Sequence, residues 1–72
     1  MTIADDVRVL VRELADVPGD DAALLEVDSL TLVQIVEALE DRFEIRVAAR
    51  DVVPACFGSI AAISAYVESK RR

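Results

Sequence analysis

The chain has 72 residues and a net charge of -6, from 14 acids against 8 bases. Its acidity argues against binding DNA or RNA, whose phosphates it would repel. With no histidine and a single cysteine, Cys56, it lacks the usual ligands for metal catalysis and cannot form an intramolecular disulfide.

A chain of this length is expected to form one domain over residues 1–72, burying about 60% of its unfolded surface. Its apolar fraction, 54%, is almost wholly aliphatic, with Phe43, Phe57 and Tyr66 the only aromatic residues. That mixture favours helices packed through aliphatic stripes. Met1-Thr2-Ile3-Ala4 runs straight into Asp5-Asp6 without a secretory leader pattern. The most apolar stretch, Ile60 to Val67, is far shorter than the roughly 20 residues needed to cross a bilayer. A cytoplasmic protein with no membrane span is expected.

Thr2 to Leu14 reads as the first helix, because Ile3, Val7, Leu10, Val11 and Leu14 recur on one face. Thr2 and Asp5 are spaced as a capping box, and Asp5 and Asp6 suit the positive end of the helix dipole. Val17-Pro18-Gly19-Asp20 is expected to end it, and a loop then runs to Val27. Asp20 and Asp21 read as solvated, without the alternating oxygen ligands of an EF-hand. Leu24, Leu25 and Val27 are too apolar to float free, so some of them should plug the core.

Ser29 to about Phe43 is the strongest helical pattern, about 22 Å long, with Asp28 as its N-cap. Leu32, Ile35, Val36, Leu39 and Phe43 fall in one stripe and are assigned to the core. On the opposite side, Glu37, Glu40, Asp41 and Glu44 share a face with Leu30 and Val33. Two aliphatic residues among four acids form either a docking surface or an ordinary solvated face with stray apolar residues.

Ile45 and Val47 lead into Ala48 to Val53, which has room for about one and a half helical turns before Pro54 stops them. Val52 and Val53 are expected to turn inward, and Cys56 to be a small, at least half-buried apolar residue. Ser59 is placed to cap a last helix, from Ile60 to about Lys70, with Ile60, Ile63 and Val67 as its core stripe. Lys70, Arg71 and Arg72 lie where cations favour the negative end of the dipole. The fold class is all-α, a small bundle of three main helices plus one short helix.

Ser29 stands beside an acid at a helix start, but nothing in the sequence equips it for catalysis. A catalytic serine needs an activating base, an orienting group and an oxyanion hole. Here there is no histidine, no Ser-x-x-Lys begins at Ser29, and two glycines in the whole chain build no phosphate loop. The protein is therefore not expected to be an enzyme. Such a serine is better placed to receive chemistry than to perform it, as an attachment point for a prosthetic arm, although a serine near a helix start is common for structural reasons alone.

With these residues in view, the chain resembles the acyl carrier protein family over nearly its whole length. Asp28-Ser29-Leu30 is similar to that family's Asp-Ser-Leu signature. Val36-Glu37-Ala38-Leu39-Glu40-Asp41-Arg42-Phe43 resembles its second helix, and Val47 falls where the family places an aliphatic residue. Phe57-Gly58-Ser59-Ile60-Ala61-Ala62-Ile63 resembles the start of its last helix.

The resemblance implies an acyl-carrier-protein-like bundle in which a phosphopantetheinyl transferase moves 4'-phosphopantetheine from coenzyme A onto Ser29, with Asp28 and Leu30 flanking the attachment point. The Ser29 hydroxyl would attack the pyrophosphate phosphorus and leave a phosphodiester, with metal and base supplied by the transferase. The thiol of the arm would then carry acyl intermediates of fatty-acid, polyketide or related natural-product biosynthesis as thioesters. Leu30, Val33, Glu37, Glu40, Asp41 and Glu44 would meet basic docking patches on the transferase and on loading and condensing enzymes. The carrier is expected to be a monomer.

Several positions depart from the family pattern. Glu26 stands where the family often has Gly, so the turn before Ser29 is expected to have a different shape. Arg42 interrupts the acid run, Gln34 replaces a common acid, and Pro54-Ala55-Cys56-Phe57 lengthens the link to the last helix. That link is more like stand-alone carriers of D-alanyl, aminoacyl or glycerate-derived groups. The alternatives are a stand-alone aminoacyl or D-alanyl carrier, or a non-carrying acidic helical domain that binds a basic partner.

Overall fold

A computed structural model describes residues 2–71; Met1 and Arg72, including the expected place of Arg72 at the last helix end, lie outside them. The elements are α1 (Ile3–Arg12), α2 (Ser29–Phe43), a 3-10 turn (Ala49–Asp51), α3 (Pro54–Phe57) and α4 (Ile60–Arg71), and the described residues contain no strand. The all-α bundle of three main helices and one short one is as expected.

Helix α1 begins where its caps dictate. The Thr2 hydroxyl accepts the Asp5 N–H at 3.2 Å, and the Asp5 carboxylate accepts the Thr2 N–H at 3.4 Å, which completes the capping box. The helix ends earlier than the apolar spacing predicts. Glu13 is its C-cap, and the N–H groups of Leu14 and Ala15 both donate to the Val11 carbonyl. These turn bonds both use the Val11 carbonyl and close the helix before Val17 is reached, leaving Leu14 exposed.

The start of α1 lies beside the end of α2, where Arg42 pairs with Asp6 at 3.6 Å. The end of α4 lies there too, with the Arg71 guanidinium 5.9 Å from the Phe43 ring centre. Helices α2 and α4 therefore run the same way, and α1 runs against them. Val7 and Val11 of α1, Ile35, Val36, Leu39 and Phe43 of α2, and Ile60, Ile63 and Val67 of α4 form the core with Phe57. Leu32, assigned to the same stripe, packs against this core while partly exposed.

The long loop is pinned rather than solvated throughout. Leu25 and Val27 pack against the core, and the Leu25 N–H donates to the Gly58 carbonyl at 2.8 Å. Asp20 is exposed, but Asp21 is not simply a solvated acid. Arg8 grips its carboxylate with two hydrogen bonds, and its main-chain carbonyl accepts the Ala61 N–H at 2.9 Å. With the Ser59 hydroxyl accepting the Ala62 N–H, two free amides at the start of α4 are satisfied.

The segment before α4 corrects the sequence reading. Residues Ala49–Asp51 form only a 3-10 turn, and Pro54 starts the short helix instead of stopping one. A proline at the first helical position loses no bond, because that N–H has no partner in the helix anyway. Its ring forces the preceding residue out of the helical region, and Val53 is extended at φ -137°. Val52 packs inward as expected, whereas Val53 is 39% exposed. Cys56 is half-buried, as its type suggests.

Tyr66 ties this segment to α4: its hydroxyl donates to Asp51 at 2.7 Å, and its ring centre lies 5.0 Å from that of Phe57. Burial first, and then the neighbouring Asp51, push the Tyr66 hydroxyl up to about 12, so it remains a donor across the physiological range.

Among the described residues other than glycine, Glu44 alone has a left-handed backbone, with φ 53° as the C-cap of α2. That conformation costs a side-chain-bearing residue about 1–2 kcal/mol, and an acid at this end of a helix opposes the dipole by about 0.3–1 kcal/mol. Glycine would remove both costs and add about 0.4–1 kcal/mol of unfolded-chain entropy. Glu44→Gly is thus expected to stabilise the fold by about 1 kcal/mol and raise the melting temperature by about 4–8 °C. A thermal melt that shows no rise would mean that the left-handed cap is not strained.

Candidate functional site: the N-terminus of the second helix

Asp28 holds the start of α2. Its backbone is extended, its carbonyl accepts the Leu32 N–H at 2.9 Å, and its Oδ1 accepts the Thr31 N–H at 2.7 Å. That amide bond is the main reason its carboxyl lies below the ordinary carboxylate value, so Asp28 caps the helix as an anion at neutral pH. Occupied in this way, it is not free to act as a base for its neighbour.

Ser29 is the first residue of the helix and is exposed. Its hydroxyl makes no hydrogen bond among the described residues, which sets it apart from the other three serines of the chain. Ser59 caps α4, Ser64 is buried with its hydroxyl donating to the Ile60 carbonyl at 2.7 Å, and Ser69 donates to the Tyr66 carbonyl at 2.8 Å.

The site fits a phosphodiester-linked arm. The hydroxyl is open to a modifying enzyme, and the amides of the first helical turn and the positive end of the dipole favour a negative group on it. Glu26 needs no glycine-like backbone, since the one non-glycine residue at positive φ is Glu44. The turn before Ser29 is therefore built without left-handed geometry at that position.

Val27 and Leu32, two residues before and three residues after Ser29, border an apolar hollow of about 290 Å³ between the long loop, α2 and α3. Leu25, Val27, Leu32, Val53 and Phe57 line it, and Leu24, 76% exposed, stands at its edge. Leu24 is one of three loop residues of which some are expected to plug the core, and Val53 is expected to turn inward. Leu24 and Val53 both open onto the hollow, while Leu25 and Val27 are the loop residues that pack on the core; the outward placement of Val53 follows from its extended backbone before Pro54, which no helical period reveals.

The proposed partner-facing residues lie further along α2. Leu30 and Val33 are 68% and 47% exposed, and Glu37, Asp41 and Glu44 are exposed as well. At the helical rise, Glu37 and Asp41 lie about 12 and 18 Å along the axis from Ser29, so anchor and acids do not share one pocket. Glu40 differs from its neighbours: it is half-buried, and its Oε2 accepts the Val47 N–H at 2.9 Å. No described helix is long and apolar enough to cross a membrane.

Comparison with known proteins gives no match among curated proteins or solved structures. The family model for the phosphopantetheine attachment site does match, over residues 4–67, and so covers all of α2 and its N-cap and most of α1 and α4. The chain thus belongs to the phosphopantetheine attachment site family, the carrier domains of acyl carrier protein type to which 4'-phosphopantetheine is covalently bound.

Proposed function

We propose that the chain is a non-catalytic acyl carrier protein whose arm is attached at Ser29, with Asp28 and Leu30 beside it. The observation that carries this reading is the free, exposed hydroxyl of Ser29 at the start of α2, in a chain whose other serine hydroxyls are all engaged. When bound, 4'-phosphopantetheine supplies a thiol that holds acyl groups as thioesters, whose carbonyls stay electrophilic for want of amide-like resonance.

The protein's own part is position. Asp28 fixes the helix start, the first turn presents Ser29, and tethering raises the effective concentration of cargo at each partner's active site. The apolar lining of the neighbouring hollow favours acyl cargo with an aliphatic portion over a D-alanyl or aminoacyl group. On this reading the carrier works in the cytoplasm as a monomer of one domain, in fatty-acid, polyketide or related biosynthesis.

Leu30, Val33, Glu37, Asp41 and Glu44 are the contacts we assign to partner enzymes: a phosphopantetheinyl transferase, then loading and condensing enzymes. Exposed acids against basic patches give fast, weak, salt-sensitive docking, as a shuttle that must leave requires. The test is intact-mass analysis after incubation with coenzyme A and a promiscuous phosphopantetheinyl transferase. One added arm is expected, and a chain that stays unmodified overturns the reading.

A further inference from the structure

Glu40 organises the chain that leaves α2. Its main-chain carbonyl accepts the N–H groups of Glu44 and Ile45, the latter at 3.3 Å, while its carboxylate accepts the Val47 N–H. Held in this way, Ile45 and Val47 both pack against the core. Arg46, between them, is exposed. It borders a surface depression that it shares with Glu37, Glu40 and Asp41. Arg8 and Arg42 are both ion-paired, but among the described residues no carboxylate comes within ion-pair distance of Arg46.

We infer that Glu40 is a positioning residue of the docking face and not one of its contacts, and that it positions Arg46 as a cation set among the docking acids. The inference rests on reading α2 as that docking face. A basic patch on a partner gains from Glu37 and Asp41 and is repelled by Arg46. The favoured partner surface is therefore a basic patch that carries a carboxylate opposite Arg46, and Arg46 acts against wholly basic surfaces.

The experiment measures kcat/KM for loading by a phosphopantetheinyl transferase whose docking face is wholly basic, at low and high salt. Glu37→Gln is expected to lower kcat/KM about two- to fivefold at low salt, the worth of one exposed charge contact. Glu40→Gln keeps an oxygen for the Val47 N–H and should lower kcat/KM clearly less than Glu37→Gln does, although it loses the same charge. Arg46→Ala should raise kcat/KM about two- to fivefold through KM, with kcat unchanged and the gain lost at high salt.

Equal slowing by Glu40→Gln and Glu37→Gln would make Glu40 a contact and overturn the inference. So would an Arg46→Ala rate that is unchanged or lower. Amide hydrogen exchange reads the latch without any partner: Glu40→Ala should speed exchange at Val47, and unchanged protection there refutes the positioning role. Failure of the wild type to load would instead refute the carrier reading, and the exchange measurement would still decide the role of Glu40.

Discussion

Ser29→Ala is expected to abolish attachment of the arm completely while leaving the fold intact. The modification needs an oxygen that is exposed and free, and Ser29 alone among the serines offers one. The Ser59 oxygen is occupied in capping α4, and Ser64 is buried against its own helix. Ser69 lies near the other end of the bundle, in the last turns of α4.

The substitution should cost little stability, because the cap of α2 belongs to Asp28 and an alanine suits the first turn of a helix. A change within about 0.5 kcal/mol is expected, with unchanged helical circular dichroism. Mass analysis of the variant after exposure to coenzyme A and transferase is the check. An adduct that survives the substitution would move the attachment point elsewhere and remove the basis of the proposed function.

The parts of this structure that are legible in the sequence are those with local causes. Capping residues at Thr2, Asp28 and Ser59 start three helices where their side chains can take free amides. Aliphatic spacing identifies the stripes of α2 and α4, because the core has room for only one face of each. Ser29 stands out because it follows a capping acid in a chain without catalytic equipment.

What the sequence hides depends on distant partners. Asp21 reads as solvated because nothing nearby in sequence reveals Arg8 reaching it across the loop. Glu40 reads as one acid among four, and its difference from Glu37 and Asp41 lies in an amide seven residues on. Pro54 is ambiguous in principle, since proline ends a helix behind it and starts one ahead of it, and the choice here depends on α3 packing against α4.

Gly58→Ala is expected to be the most damaging small change at the surface of the bundle, although the backbone at Gly58 is ordinary, with φ -81° and ψ -11°. The obstacle is space. A Cβ at this position would lie 2.4 Å from the Pro54 carbonyl oxygen and 3.3 Å from its carbon, both main-chain atoms that no rotamer change can move. That oxygen also accepts the Gly58 N–H at 2.8 Å, and the Gly58 carbonyl in turn holds the Leu25 N–H.

Relief must therefore come from shifting α3 or breaking a bond at this junction. Overpacking of this kind costs about 1–3 kcal/mol, out of a total of about 4–10 kcal/mol for a chain of this size. The melting temperature should fall by about 4–24 °C. Gly19→Ala is the matched control: nothing lies within 4 Å of a Cβ there and the backbone is not left-handed, so alanine should be neutral or stabilise by up to about 1 kcal/mol. Equal melting temperatures for the two variants would show that α3 yields without cost. A loss confined to Gly58→Ala would instead place the junction of α3 with the long loop among the contacts that hold the chain leading into Ser29.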